Sequence, residues 1–190
     1  YVDGLFKTRA SLGGIVFPDL DITRRRFDEI FKALEGSGMG LIYGSNPMPF
    51  TVTTAVGYQD YYEALILDPG FVLEFQQRIL DWCMRELELA LEYPVDVIRV
   101  GAVLCTKQGL MMSRDALERF EYPFLREAVR RIHAKKRLAL MHADGLMTDL
   151  LPDIVAMGFD VFHPIEPCDG AQDIAAMKAK HGDRLALHGN

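Results

Sequence analysis

Residues 137–167 read RLALMHADGLMTDLLPDIVAMGFDVFHPIEP, and the fold is decided here. The apolar runs 138–141 and 161–162 are too short for helices and each ends directly in polar residues. Short apolar runs bounded by charge, glycine or proline are the signature of strands buried on both faces, as in a parallel sheet. Between them Leu146, Leu150, Leu151, Ile154, Val155 and Met157 recur at helical spacing. Strand, amphipathic helix and strand make a β-α-β unit, whose strands are parallel.

The polar residues that close these strands are the first candidates for chemistry, because parallel α/β folds collect their sites at the C-terminal strand edge. His142 and Asp144 follow the first run, two residues apart, so continued strand geometry puts both side chains on one face. An imidazole beside a carboxylate can serve as a general acid/base pair or as part of a metal site. The plainer reading makes Asp144 a cap for the next helix and His142 a satisfied histidine. His163 and Glu166 follow the second run in HPIEP, where two prolines stiffen the loop that carries the carboxylate. His188 closes a third run, 185–187, with Asn190 beyond it. Three strand ends, each with a histidine, are more than five scattered histidines would ordinarily give. Cys105, Lys107 and Gln108 lie on another edge loop, and Cys168 follows HPIEP; lone cysteines are more often small buried residues than thiolates.

Working outward, the first residues form an irregular lead-in with one short strand at 15–17. Thr23 then caps a helix to residue 35, closed by Gly36. A buried strand at 40–44 leads into the loop SNPMPF and a helix at 58–67. Asp68-Pro69 starts the long helix 70–92, with Asp as cap and Pro in the first turn. A strand at 96–100 precedes the Cys105 loop. Ser113 caps a helix running to residue 133, and a last helix spans 171–180. About five parallel strands are visible where a closed barrel needs eight, so an open sheet and part of a barrel both satisfy the order. Beginning at Tyr1 and stopping just after a strand, the chain reads as a single domain, 1–190, that is an internal portion of a longer protein.

The net charge of −6 argues against nucleic acid as a partner and against a polybasic membrane anchor. No apolar run approaches a membrane span, and no signal peptide is visible. Three cysteines without paired spacing suit a reducing, cytoplasmic setting. Neither phosphate-binding glycine motif occurs, nor a G-x-S-x-G elbow.

With these residues in view, the run from Leu138 through HPIEP, then DIAAMKAKHGDRLALHGN, resembles the uroporphyrinogen decarboxylase superfamily, which includes cobalamin-dependent methyltransferases acting on coenzyme M and related acceptors. The resemblance is carried by His142, Gly145, Gly158, Asp160, Pro164, Glu166, Asp173, Ile174, Lys178, Gly182, Asp183, Arg184, Gly189 and Asn190. NPMPFTV, LDPGFV and DVIRVGAVLCTKQGLMMS extend it upstream to about residue 18. It implies a (β/α)8 TIM barrel, present here as an incomplete piece, with His142, His163, Glu166 and His188 around one mouth.

On this resemblance the expected activity is corrinoid-linked, zinc-assisted methyl transfer to a small molecule, with a corrinoid protein as methyl donor. Zinc would be held by His142, Asp144 and Glu166, the same three residues serving as catalytic groups. His163, His188, Lys107 and Gln108 would contact the substrate, with Arg99 as a further electrostatic contact. The methyltransferase pattern has His-x-Cys where this chain has His142-x-Asp144, and acids where it has Ala102 and Val103. The alternatives are a cofactor-free uroporphyrinogen decarboxylase of tetrapyrrole biosynthesis, and a non-catalytic barrel that binds a small molecule. A homodimer is the assembly expected in solution.

Overall fold

Asp19, Asp68, Ser113 and Asp173 each start a helix, and each side chain accepts an otherwise orphaned backbone N–H of the first turn. The donors are Asp21 at 3.0 Å, Phe71 at 3.0 Å, Ala116 at 3.2 Å and Ala175 at 2.8 Å. The computed structural model describes residues 3–45 and 48–189, and the backbone alone at 48–50. Their contacts divide into two units.

The first unit takes the described residues up to Gly40 and those from 48 to 94. It is helical: α1 (Leu20–Leu34), α2 (Met48–Val56), α3 (Tyr58–Leu67) and α4 (Pro69–Ala90). Phe71, Val72, Phe75, Ile79, Cys83 and Leu87 form the buried stripe of α4 at three- and four-residue spacing. Desolvation there pushes the Cys83 thiol up to about 12, so this cysteine is core. Three expectations are corrected. The strand at 15–17 is extended chain after a 3-10 helix, Arg9–Gly14, because no partner strand pairs with it. The first helix is capped by Asp19 rather than Thr23, since Asp19 stands directly ahead of the first helical turn. The chain just after residue 47, read as a loop, enters α2, whose Val52 and Val56 bury one face despite a β-branched, threonine-rich sequence. Asn46 and Pro47 of the SNPMPF segment lie outside the described residues.

The second unit holds 41–45 and the described residues from Val95 onward. Its strands are β1 (Ile42–Ser45), β2 (Val97–Gly101), β5 (Leu138–His142), β6 (Val161–His163) and β7 (Ala186–Leu187), all parallel in that order; β3 (Cys105–Thr106) and β4 (Gly109–Leu110) form a small antiparallel hairpin. The helices are α5 (Arg114–Phe120), α6 (Tyr122–Ala134), α7 (Leu151–Ala156) and α8 (Ile174–His181). The helix expected over 113–133 is thus two helices. Pro123 has no N–H to give the turn before it and its ring crowds that turn, so the chain breaks at Glu121. The last helix starts at Ile174 behind its Asp173 cap, later than expected, because Ala171 and Gln172 close the 3-10 turn Cys168–Gly170, their N–H groups donating to the Cys168 and Pro167 carbonyls at 3.0 and 3.2 Å.

Register decides which residues share a face. Ile98, Val100, Ala139, Met141 and Phe162 form one set and are almost fully buried beneath the helices. The other face carries Ile42 and Gly44 on β1, Arg99 and Gly101 on β2, Leu140 and His142 on β5, Val161 and His163 on β6, and Ala186 on β7. His188 continues that row one step past β7, its N–H donating to the Phe162 carbonyl at 2.9 Å. Ile42 and Leu138, at 56% and 49% exposed, show that this face lies open in the chain as described.

Candidate functional site

The parallel ladder brings the three strand-end histidines side by side. Gly101 pairs with His142, and His142 with His163. The N–H groups of Ala102 and Ala143 donate to the carbonyls of His142 and His163 at 3.0 and 3.1 Å, carrying the alignment past the strand ends. The rings of His142 and His163 are stacked with centroids 5.2 Å apart, and those of His163 and His188 lie 4.7 Å apart at a tilt. Nδ1 of His142 and Nδ1 of His163 are 3.0 Å apart, a hydrogen bond in which one ring donates and the other accepts.

Both imidazoles of that pair are held below the ordinary histidine range. For His142 burial is the main cause, opposed by the Asp144 charge and reinforced by Arg99. For His163 burial again leads, followed by His188, His142 and Arg99, with Asp144 opposing. At pH 7 both are therefore neutral, and each has a lone pair to offer. Asp144 lies with Oδ2 4.0 Å from Nε2 of His142, too far for a hydrogen bond, and its side chain is 69% exposed.

Three loops meet behind this row. The hairpin after β2 touches the loop after β5, where Leu146 N–H donates to the Thr106 carbonyl at 2.9 Å. Gly145 has φ +92°, and a Cβ there would meet the Thr106 and Cys105 carbonyl oxygens at 2.7 and 2.9 Å, so only glycine fits. The loop after β6 is joined by Glu166, whose Oε2 accepts the Gly145 N–H at 2.6 Å. Gln172 completes the join. Its Oε1 accepts from Met147 N–H at 2.8 Å, and its Nε2 donates to the carbonyls of Gly145 at 3.0 Å and Glu166 at 2.5 Å. Nothing in the sequence marks Gln172; its role comes wholly from burial among backbone groups of two loops.

The expected residues therefore separate. His142, His163 and His188 come together, and Asp144 stands beside His142. Glu166 faces the backbone of Gly145 instead. Lys107 and Gln108 occupy the exposed turn of the β3–β4 hairpin, and no described contact ties them to the histidines. Cys105 and Cys168 are buried; desolvation raises both thiols, Cys105 to about 11, so neither is poised as a thiolate. Among the described residues no group of three His, Cys, Asp or Glu is placed to hold a metal ion. His142, Asp144 and Glu166 are thus not gathered as the zinc set expected of them, since Asp144 turns to solvent and Glu166 to Gly145. Asn190 lies outside the described residues.

Comparison with known proteins gives the fold and the family. A solved methyltransferase from Methanosarcina mazei superposes with a TM-score of 0.71 at 14% identity, covering 100% of this chain and 54% of that one. The chain thus spans about half the length of that relative, and the likeness gives the fold: part of a TIM-barrel-like α/β structure with parallel strands. No curated protein matches. No helix among the described residues is long and apolar enough to cross a membrane. The family model for uroporphyrinogen decarboxylase (URO-D) matches residues 30–190, and the chain belongs to that family.

Proposed function

We propose that the full-length protein, of whose barrel this chain forms a part, transfers a methyl group between a corrinoid protein and a small molecule. The His142–His163 pair supplies its proton transfer. The observation that carries this reading is the Nδ1···Nδ1 contact of 3.0 Å between two imidazoles at adjacent strand ends. The Asp144 carboxylate favours a proton on Nε2 of His142, the nitrogen it faces. Nδ1 of His142 is then an acceptor, Nδ1 of His163 the donor, and Nε2 of His163 is left as the free base. An acceptor molecule with an acidic X–H would give its proton to that nitrogen, the electron pair left on X would form the bond to the methyl carbon, and the pair of the broken bond would stay with the methyl donor; the positive charge gained by the imidazole is shared toward Asp144.

A corrinoid would supply the methyl-carrying centre. The chain's own residues orient the acceptor and move the proton. Both imidazoles are neutral at pH 7, so a ring nitrogen has a lone pair free to take the proton that the acceptor loses. No step runs through zinc. Three free, buried cysteines suit a cytoplasmic enzyme. The test assays the full-length protein with methylcobalamin and a small thiol, and separately with uroporphyrinogen. Methyl transfer that falls at least a hundredfold in His163→Asn, on the order expected for losing a general base, supports the reading. Carbon dioxide release from uroporphyrinogen without methyl transfer overturns it.

A further inference from the structure

The helical unit keeps a recess that its own packing leaves open. Its volume is about 320 Å3, and four aromatic residues, Phe6, Phe17, Phe75 and Trp82, line it together with Ile79 and Cys83. Phe75, Ile79 and Cys83 belong to the buried stripe of α4 and make an uncharged floor. Hydrogen bonds fix the walls. The N–H groups of Leu5 and Phe6 both donate to the Ala55 carbonyl of α2, at 2.8 and 3.1 Å, and Trp82 Nε1 donates to the Pro18 carbonyl at 3.1 Å. The Phe17 ring stacks on Trp82 with centroids 6.1 Å apart, and Phe6 meets Phe75 edge-on at 5.5 Å. The rings are thus held by one another and by the main chain, and the space between them stays open. Val16, on the rim, is 91% exposed. A cavity of about 150 Å3 accepts one benzene ring, so a volume about twice as large accepts two fused rings.

A groove of about 620 Å3 shares Ile15, Phe17, Pro18 and Trp82 with the recess and brings charged groups to its edge. Arg78, Trp82 and Arg85 of α4 line this groove, and their four- and three-residue spacing puts them on one face of the helix. Arg78 is paired with Glu74 at 3.1 Å, whereas Arg85 makes no ion pair or hydrogen bond among the described residues. The acids of the groove are partly engaged: Asp19 accepts the Asp21 N–H at 3.0 Å, and Asp81 accepts from Gln77 at 2.7 Å. A ring-lined apolar recess beside one unpaired guanidinium is complementary to a flat apolar body with a single negative head. We propose that this recess binds a small aromatic monocarboxylic acid, its rings among Phe6, Phe17, Phe75 and Trp82 and its carboxylate on Arg85. Asp19, Asp21 and Asp81 stand in the same groove and disfavour a second negative group. The site lies wholly within the helical unit and does not rest on the histidine edge, which belongs to the other unit.

The full-length protein is titrated with 2-naphthoate, its uncharged analogue 2-naphthylmethanol, and decanoate, following heat and the indole N–H resonance of Trp82, assigned with Trp82→Phe. The 2-naphthoate titration is expected to saturate and to shift that resonance, with the alcohol about tenfold weaker or more, as for a missing charge-assisted hydrogen bond. Arg85 is exposed, so its replacement leaves the core alone. Arg85→Gln should weaken 2-naphthoate about tenfold and leave the alcohol unchanged. Ala55→Leu fills the recess and should abolish binding of both. Val16→Glu, which sets a carboxylate on the exposed rim, should weaken 2-naphthoate and serves if Ala55→Leu does not fold. The proposal is overturned if 2-naphthoate does not saturate in the wild type, as it would not if another segment of the full-length protein occupies the recess. It is equally overturned if Arg85→Gln, or a folded Ala55→Leu, binds 2-naphthoate as the wild type does. An alcohol that binds as tightly as the acid removes the carboxylate from the assignment and overturns it. Decanoate binding more tightly than 2-naphthoate overturns it as well, because the recess would then be a slot for an alkyl chain.

Discussion

Oε2 of Glu166 accepts the backbone N–H of Gly145 at 2.6 Å, so the carboxylate expected to perform chemistry fastens the loop after β6 to the loop after β5. Glu166→Ala removes the acceptor from a partly buried N–H and should cost about 1–3 kcal/mol in urea unfolding. Glu166→Gln keeps a carbonyl oxygen in place and should cost well under half of that, with turnover nearly retained. A kcat that collapses equally in both variants would instead make the ionised carboxylate a catalytic group.

Gln172 satisfies three backbone groups at once, the Met147 N–H and the carbonyls of Gly145 and Glu166. Gln172→Ala strands all three in a buried place and should destabilise by about 2–4 kcal/mol. Gln172→Glu should do no better, because a carboxylate oxygen replaces the amide donor beneath two carbonyls. Hydrogen exchange should show early loss of protection at Met147 in both variants; unchanged protection there would remove the clamp from the account.

Gly145 combines a φ of +92° with backbone oxygens at 2.7 and 2.9 Å from any Cβ. Gly145→Ala should cost about 1–3 kcal/mol from the backbone conformation alone, and more from displacing the β3–β4 hairpin, whose main chain cannot turn aside. Thermal unfolding checks this. A variant as stable as the wild type would mean that the hairpin docks elsewhere in solution.

The depressed imidazoles give stability a definite dependence on pH. His142 and His163 bind protons less readily folded than unfolded, where the ordinary value is 6.5. Below that value the unfolded chain takes up protons that the folded chain refuses. Their contribution is therefore fully present above pH 6.5 and is lost as pH falls through the lower folded values. The urea midpoint should drop on acidification from pH 7 to 5, and less so in the double variant His142→Asn/His163→Asn. Removing the Arg99 charge should move both histidines upward when titrated by NMR, since that charge helps to lower each.

Much of this architecture was legible in the chain. Apolar runs ending in His142, His163 and His188 marked parallel strand ends, because a strand buried on both faces cannot hide its polar boundary. The Asp68-Pro69 helix start was equally plain, since capping chemistry is local. Local rules failed where the outcome depended on distant packing. Pro123 split a helix that its periodicity made continuous, and α2 formed from β-branched residues because Val52 and Val56 found a buried face. Within the site, the sequence supplied the residue types and the edge on which they gather. Only the tertiary structure decided their pairing: His142 to His163, Glu166 to Gly145, and Gln172 across both loops. The physical reason is range. Caps and strand boundaries are settled within a few residues, whereas the His142–His163 contact spans 21 positions and exists only because β5 and β6 lie in register.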